Sequence, residues 1–249
     1  MHEHWLSRTE ILIGHENIEK LKSTTVAIVG LGGVGSFACE AIARAGVGNL
    51  ILIDYDRVAC TNINRQIIAT HSTIGKQKTE VMRQRIVDIN PDAKIEIYAE
   101  FINKENRNEI LKRANFIIDA IDSIGPKMGM IKDLCFLQKP FISILGAGNR
   151  IDPDSIKTST IWQTSGCPLA RRLKKLLRRN AVTDDFPVVY STERPIHIET
   201  TRPPMHDTPH IPKTIVGSIS YMPAIMGTTA AGKLINMIID TKEVKICSL

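Results

Sequence analysis

The chain has 249 residues, 43% hydrophobic and 23% charged, which excludes a disordered polymer and fits one large α/β domain. Its formal charge is +6, and six cations packed into residues 171–179 without an acid account for all of it, because the other 26 basic residues balance the 26 acidic ones. Five widely spaced cysteines with no C-x-x-C pair exclude a disulfide framework and give a structural zinc no support.

Met1 to His4 carry no apolar signal-peptide core, so a cytoplasmic protein without membrane attachment is expected. Residues 25–29 read as a buried strand, 30–35 as a turn, and 36–45 as a helix stopped by Gly46. A second buried strand spans 50–53. A helix over 76–89 is closed by Asn90 and Pro91. The spacing then predicts a strand at 94–98, a short helix at 103–113 and a strand at 116–118 ending on Asp119. A helix at 127–137 and a strand at 141–145 follow. Strands alternating with helices predict a parallel sheet covered on both faces.

After about residue 150 the pattern changes. An extended segment at 156–162 precedes a basic helix at 169–179 and a strand at 188–191. Residues 194–212 hold five prolines and no periodicity, which predicts a long loop. In that loop His197, His206 and His210 do not form a helical ligand pair, because Pro209 interrupts it. A strand is expected at 213–220 and a terminal helix at 223–239. Lys233 and Asn236 mark that apolar stretch as a buried helix rather than a membrane span.

Gly30, Gly32, Gly33 and Gly35 satisfy G-x-G-x-x-G between the first strand and its helix. Such glycines let the backbone approach a phosphate, and the helix N-terminus offers free N–H groups. Asp54 ends the next strand, where an acid accepts from ribose hydroxyls. To this point NAD fits as well as ATP. The segment from Asp54 and Asp56 through Asn62 and Arg65 to Lys78 separates them. A hydride-transfer site has no need of Arg65 and Lys78 beside the strand's carboxyl edge, whereas a departing pyrophosphate must have its charge matched.

These residues resemble the ubiquitin-activating-type adenylating superfamily, which includes the bacterial sulfur-carrier activating enzymes. The resemblance rests on the glycine turn, residues 52–58, residues 62–66, Lys78, and the stretch from Asp119 to Ser123. It implies that Gly30, Gly32, Gly33, Gly35, Asp54, Asp56 and Asn62 bind ATP. It further implies that Arg65 and Lys78 act on the triphosphate and that Asp122 organises Mg²⁺. Arg8 would reach the γ-phosphate of a partner subunit, so a homodimer is implied as well. The fold implied is a Rossmann-like, mainly parallel sheet with helices on both faces, extended by antiparallel strands and a C-terminal helix. Residues 1–150 would form the ATP-binding adenylation core, and residues 151–249 a substrate-facing segment packed on the same domain.

Within the superfamily the chain is similar to the tRNA threonylcarbamoyladenosine dehydratases. The zinc cysteine pairs of the sulfur-carrier enzymes are missing. The stretches 167–179, 189–193 and 217–220 resemble the dehydratases' basic helix, following strand and C-terminal segment. Cys167 departs from the resemblance, which leads one to expect an acid there. The implied reaction is ATP-dependent cyclising dehydration of a modified adenosine in tRNA. Arg171, Arg172, Lys174, Lys175, Arg178 and Arg179 would contact tRNA phosphates, or else form a solvated face. Cys167 is either a thiol at a helix N-terminus or a small turn residue. A monovalent cation and a sulfur-relay protein are further candidates for cofactor and partner. The competing readings are activation of a ubiquitin-like sulfur carrier, an NAD-dependent oxidoreductase, and a silent nucleotide-binding adaptor.

Overall fold

The computed structural model of the chain describes residues 4–198 and 216–239. Seven strands form one sheet in the order β3-β2-β1-β4-β5-β7-β6. They are β1 (Thr25–Val29), β2 (Asn49–Ile53), β3 (Lys94–Tyr98), β4 (Phe116–Asp119), β5 (Phe141–Ile144), β6 (Ile156–Thr160) and β7 (Pro187–Ser191). All neighbours are parallel except β6, which runs antiparallel to β7 along one edge. This is the mainly parallel, helix-covered α/β architecture that the sequence pattern predicts.

The inner strands β1, β2, β4, β5 and β7 are largely apolar because both faces are covered, whereas the edge strands β3 and β6 carry polar residues. Ala27, Val29, Ile51 and Ile117 face one core, shared with α5 (Arg107–Lys112), α6 (Ile124–Phe136) and α7 (Pro168–Arg179). Val26, Ile28, Leu50 and Ile118 face the other, shared with α3 (Gly33–Arg44), α4 (Lys78–Ile89) and α8 (Tyr221–Ile239). The chain moves outward in one direction from β1 to β3, then returns to place β4 on the other side of β1. That reversal opens a crevice above the carboxyl ends of β1 and β4, where ligands of such sheets bind.

Several boundaries differ from the expectation for local physical reasons. Two helices that the apolar pattern does not mark precede β1, namely α1 (Ser7–Ile13) and α2 (His15–Ser23). The first buries no residue and the second only three, too few to register as a periodic stripe. Helix α4 starts at Lys78 rather than 76, because Val58 N bonds Lys76 O and Gln77 bridges Arg57. Helix α5 starts at Arg107, because the Asn103 carboxamide caps the amides of Glu105 and Asn106 in a turn. The extended segment from 156 ends at Thr160 and tightens into a helical turn at Ile161–Gln163. No strand forms over the described residues 216–220. Gly217 instead exchanges both backbone bonds with Asn149, away from the sheet edge. The remainder of the predicted loop beyond residue 198, with His206 and His210, lies outside the described residues.

Helix α8 is apolar and long enough to cross a membrane, yet Met226, Ala230, Ala231 and Leu234 are fully buried, and the helix packs most extensively on α3. Contact is close because Gly227 lies on the α3 backbone. A Cβ there would stand 2.3 Å from Val34 O and 3.0 Å from Ala38 N. Gly227→Ala is therefore expected to cost about 1–3 kcal/mol of overpacking, read as a lowered urea midpoint with an unchanged slope.

Candidate active site

A cleft of about 690 Å³ opens over the carboxyl ends of β1, β2, β4 and β5. Its floor is the glycine turn. Gly30 has φ +92° and lies against Ala120, where a Cβ would come within 2.8 Å of the carbonyl oxygen. Gly35 sits on the Gly30 carbonyl so closely that a Cβ would be 1.8 Å from its oxygen, so the turn closes only with glycine there. Gly32 and Gly33 line the cleft itself, and α3 begins at Gly33, so its free N–H groups point into the opening. The helix thus starts three residues before the expected position 36, since the second half of the glycine motif is already helical.

Asp54 leaves β2 at the cleft wall, 8% exposed. Its two carboxylate oxygens accept from Leu31 N at 2.6 Å and Asp56 N at 2.8 Å, which fixes the carboxylate while leaving lone pairs for a ligand. Burial pushes the Asp54 carboxyl up, and the Lys78 charge and the two amide bonds pull against that. Lys78, 4% exposed, opens α4 and pairs with Asp56 at 2.8 Å. Asn62 is buried, and its Oδ1 accepts from Ala59 N at 3.0 Å. Arg65 donates through Nη1 to Thr61 O and to Asn64 Oδ1, and Asn64 in turn donates to Ser218 O at 3.0 Å. Gln66 lines the same wall with a buried Oε1 that has no partner. The structure therefore brings together Gly32, Gly33, Asp54, Asp56, Asn62, Arg65, Lys78 and Asp122 on one cleft.

Asp122 stands exposed beyond the end of β4, with Ser123 Oγ donating to it at 3.2 Å. Behind it lies a group that sequence reasoning missed. Lys127 is fully buried, pairs with Asp119 at 2.8 Å, and donates to Ile121 O at 3.0 Å and Ile144 O at 2.9 Å. Ser143 Oγ donates to the same Asp119 carboxylate at 2.6 Å. Every N–H of the ammonium is used. A signal for it existed: Lys127, Met130, Ile131 and Leu134 fall at i, i+3, i+4 and i+7, which puts a lysine on the buried stripe of α6.

Arg8 is not in this cleft. It is exposed on α1, and the preceding Leu6 packs against Gly46, at the opposite ends of the strands. Trp5, Ile11 and Leu12 lie exposed on the same helix or its start. The far wall of the cleft contains Asn149, a non-glycine at φ +57°, whose backbone and side chain hold Ile196 and Gly217 together. Cys167 is 2% exposed at the start of α7, so the thiol is enclosed rather than presented. On α7, Leu173 and Leu177 are buried, and Arg171, Arg172, Lys175, Arg178 and Arg179 form an exposed face. Lys174 instead donates to Thr164 O at 2.8 Å, and Arg178 lies over the Trp162 ring at 5.2 Å. Among the described residues no three His, Cys, Asp or Glu side chains converge as a metal cluster.

A model of the ThiF family matches residues 6–248. The chain is 36% identical to tRNA threonylcarbamoyladenosine dehydratase of Bacillus subtilis (strain 168) over 247 residues, 97% of each chain. It is 35% identical over 192 residues to the enzyme of that name from Escherichia coli (strain K12), covering 77% of this chain and 70% of the relative. The solved structure of E. coli tRNA N6-threonylcarbamoyladenosine dehydratase, TcdA, in complex with ATP superposes with a TM-score of 0.85 at 29% identity, covering 96% of each chain. Its complex with AMP gives 0.84 at 30% identity, covering 96% of this chain and 95% of the other.

Replacing one member of a buried ion pair strands the other. Lys127→Met is expected to destabilise the fold by about 3–5 kcal/mol. Chemical denaturation checks this, and Lys127→Met with Asp119→Leu should recover part of the loss.

Proposed function

We propose that this chain, which belongs to the ThiF family, is an ATP-dependent tRNA threonylcarbamoyladenosine dehydratase that closes the threonylcarbamoyl side chain of a tRNA adenosine into a ring. The observation that carries this reading is the convergence of a glycine turn, Asp54, Lys78, Arg65 and Asp122 on one cleft, in a chain similar over nearly its whole length to enzymes of that name. The cleft has room for a nucleotide above Gly32, where a Cβ would meet only the Gln66 side chain, at 3.9 Å.

The nucleotide takes its ribose from Asp54 and its phosphates from the turn and the α3 amides. A carboxylate is a poor electrophile because it would have to expel oxide. Its oxygen attacks the α-phosphorus of ATP, the bond to the bridging oxygen breaks, and pyrophosphate leaves with the electron pair. Lys78 and Arg65 match the charge that grows on the departing oxygens. Lys78 must exchange Asp56 for a phosphate to do so, and Asp56 keeps the ammonium aimed into the cleft until then. Asn62 shapes the loop that carries Arg65. Mg²⁺, held by Asp122 together with phosphate oxygens and water, would neutralise further charge, and an exposed carboxylate with one hydroxyl partner suits a metal that keeps most of its waters. A nucleophilic atom of the urea then attacks the activated carbonyl and AMP departs, with net loss of water. Ring closure needs little beyond orientation, since effective molarities are high. No enzyme thioester enters the scheme, in keeping with the enclosed Cys167.

Residues 1–150 then form the adenylation core, and the segment after residue 150 supplies the basic tRNA-facing surface. The basic face of α7 meets tRNA phosphates through Arg171, Arg172, Lys175, Arg178 and Arg179, with Lys174 tied to the loop before the helix. A homodimer fits the exposed apolar side of α1, where Trp5, Ile11 and Leu12 flank Arg8. In such a dimer Arg8 would be the residue that serves the partner's γ-phosphate, as the family resemblance implies. The site of action is the cytoplasm.

The direct test supplies ATP and tRNA bearing threonylcarbamoyladenosine. AMP and pyrophosphate should appear only with that tRNA, with a nucleoside lighter by one water in its digest. Formation of AMP with a ubiquitin-like carrier instead would assign the chain to sulfur-carrier activation. Arg65→Ala should lower kcat by about 10²–10³-fold, the usual loss of one transition-state charge contact. Reversing Arg171, Lys175 and Arg179 to Glu should weaken tRNA binding and flatten its dependence on salt. An unaltered slope of log affinity against log salt would leave α7 as a solvated face.

A further inference from the structure

The glycine turn, Asp54, Lys78 and Arg65 all lie over β1, β2 and the connection that follows β2. The other half of the cleft lies over β5 and β7, walled by residues 145–150, by Pro168 and Leu169 at the start of α7, and by Pro195 and Val216. The charged side chain lining this half is Arg150, only 4% exposed. Its Nε donates to Glu193 O at 3.2 Å, its Nη1 to Gly146 O at 2.5 Å and Gly148 O at 3.3 Å, and its Nη2 to Cys167 Sγ at 3.7 Å.

Three of the four acceptors are backbone carbonyls and the fourth is the Cys167 sulfur, and no carboxylate among the described residues pairs with Arg150. Carbonyl dipoles solvate the guanidinium without cancelling its charge. A buried cation in that state is costly unless an anion completes it. The Glu193 carboxylate, whose own backbone carbonyl meets Arg150, is already spent on the amides of Ile151 and Asp152, and the Asp152 carboxylate on Asp154 N and the Ser155 hydroxyl. An enclosed cation on a cleft wall, with no carboxylate partner among the described residues, is the complement of a small anionic group.

We propose that the half of the cleft over β5 and β7 is the acceptor subsite, and that Arg150 receives the threonyl carboxylate of the modified adenosine there. This rests on the dehydratase reading given above. The placement suits the chemistry. The nucleotide fills the half over β1 and β2, so a carboxylate on Arg150 approaches the α-phosphorus from the side the nucleotide leaves open. It suits the tRNA as well. Cys167 is both a partner of Arg150 and the residue that precedes α7, so the basic face begins at the mouth of this subsite. A strand held on α7 delivers its modified nucleotide beside it.

Two substitutions at Arg150 itself separate charge from shape. Arg150→Gln removes the charge while keeping donors for the wall, and Arg150→Lys keeps the charge. Binding of the full-length protein to ATP, to tRNA bearing threonylcarbamoyladenosine, and to the same tRNA bearing plain adenosine is compared. Wild type should prefer the modified tRNA. Arg150→Gln should lose about ten- to hundredfold of that preference, the worth of a hydrogen bond to a charged group, and Arg150→Lys should keep most of it. Affinities for ATP and for plain tRNA should stay within about twofold, as expected of independent sites. A preference retained in Arg150→Gln would overturn the assignment. So would a parallel fall in ATP and plain-tRNA binding, which would make Arg150 a strut of the wall and nothing more. A wild type that converts no modified tRNA would instead refute the dehydratase reading itself.

Discussion

The walls of the cleft are held in register by one buried ion pair. Asp119 closes β4, Lys127 sits one turn into α6, and the ammonium also takes the carbonyls at the ends of both β4 and β5. Pairs of this kind add little net stability, because desolvation consumes most of the Coulombic gain. What they supply is a single arrangement. The peptide before Asp122 and the carbonyl before the 145–150 wall are fixed by the same three N–H groups. The two halves of the cleft therefore cannot drift apart without breaking a charge pair in the dry interior, where an unpaired ion is far more expensive than in water.

The half of the cleft over β1 and β2 follows the same logic on a smaller scale. Asp54 is held by two amides, Lys78 by Asp56, and the Arg65 loop by Asn62 and Asn64. Each functional group is oriented before any ligand arrives, so little reorganisation remains for the reacting state. The raised Asp54 carboxyl is the counterpart of that arrangement. Burial opposes its ionised form, and a lysine and two amides favour it.

Much of this was legible in the sequence because it depends on short-range pattern. The strands of the parallel sheet are apolar runs, the glycine turn follows the first of them, and Asp54, Lys78 and Asp122 fall at strand or helix ends. Arg65 and Lys78 favour a triphosphate site over a dinucleotide site by charge alone in the sequence reading. What stayed hidden depends on pairing across the fold. Lys127 reads as one more helix residue until Asp119 is placed beside it, 8 positions away in sequence but on another element. Arg150 reads as a turn residue until β7 brings the Glu193 carbonyl back to it. The segment ending at 220 has strand-like composition, but the sheet edge beyond β7 is already taken by β6, so it joins the cleft wall instead. Helices α1 and α2 lack an apolar stripe because they cover little of the core.

Asn149 gathers two distant stretches of chain at one residue. Its carbonyl takes the amide of Ile196, while its amide and side chain exchange bonds with Gly217. Seen topologically, the polypeptide leaves the cleft wall and comes back to it through one closed ring. Both roots of the connection are thus fixed at one residue, and closing a loop between fixed ends depends only weakly on length, with each doubling costing about 0.6 kcal/mol. Asn149 thereby makes the shape of this wall nearly independent of how much chain joins its two roots.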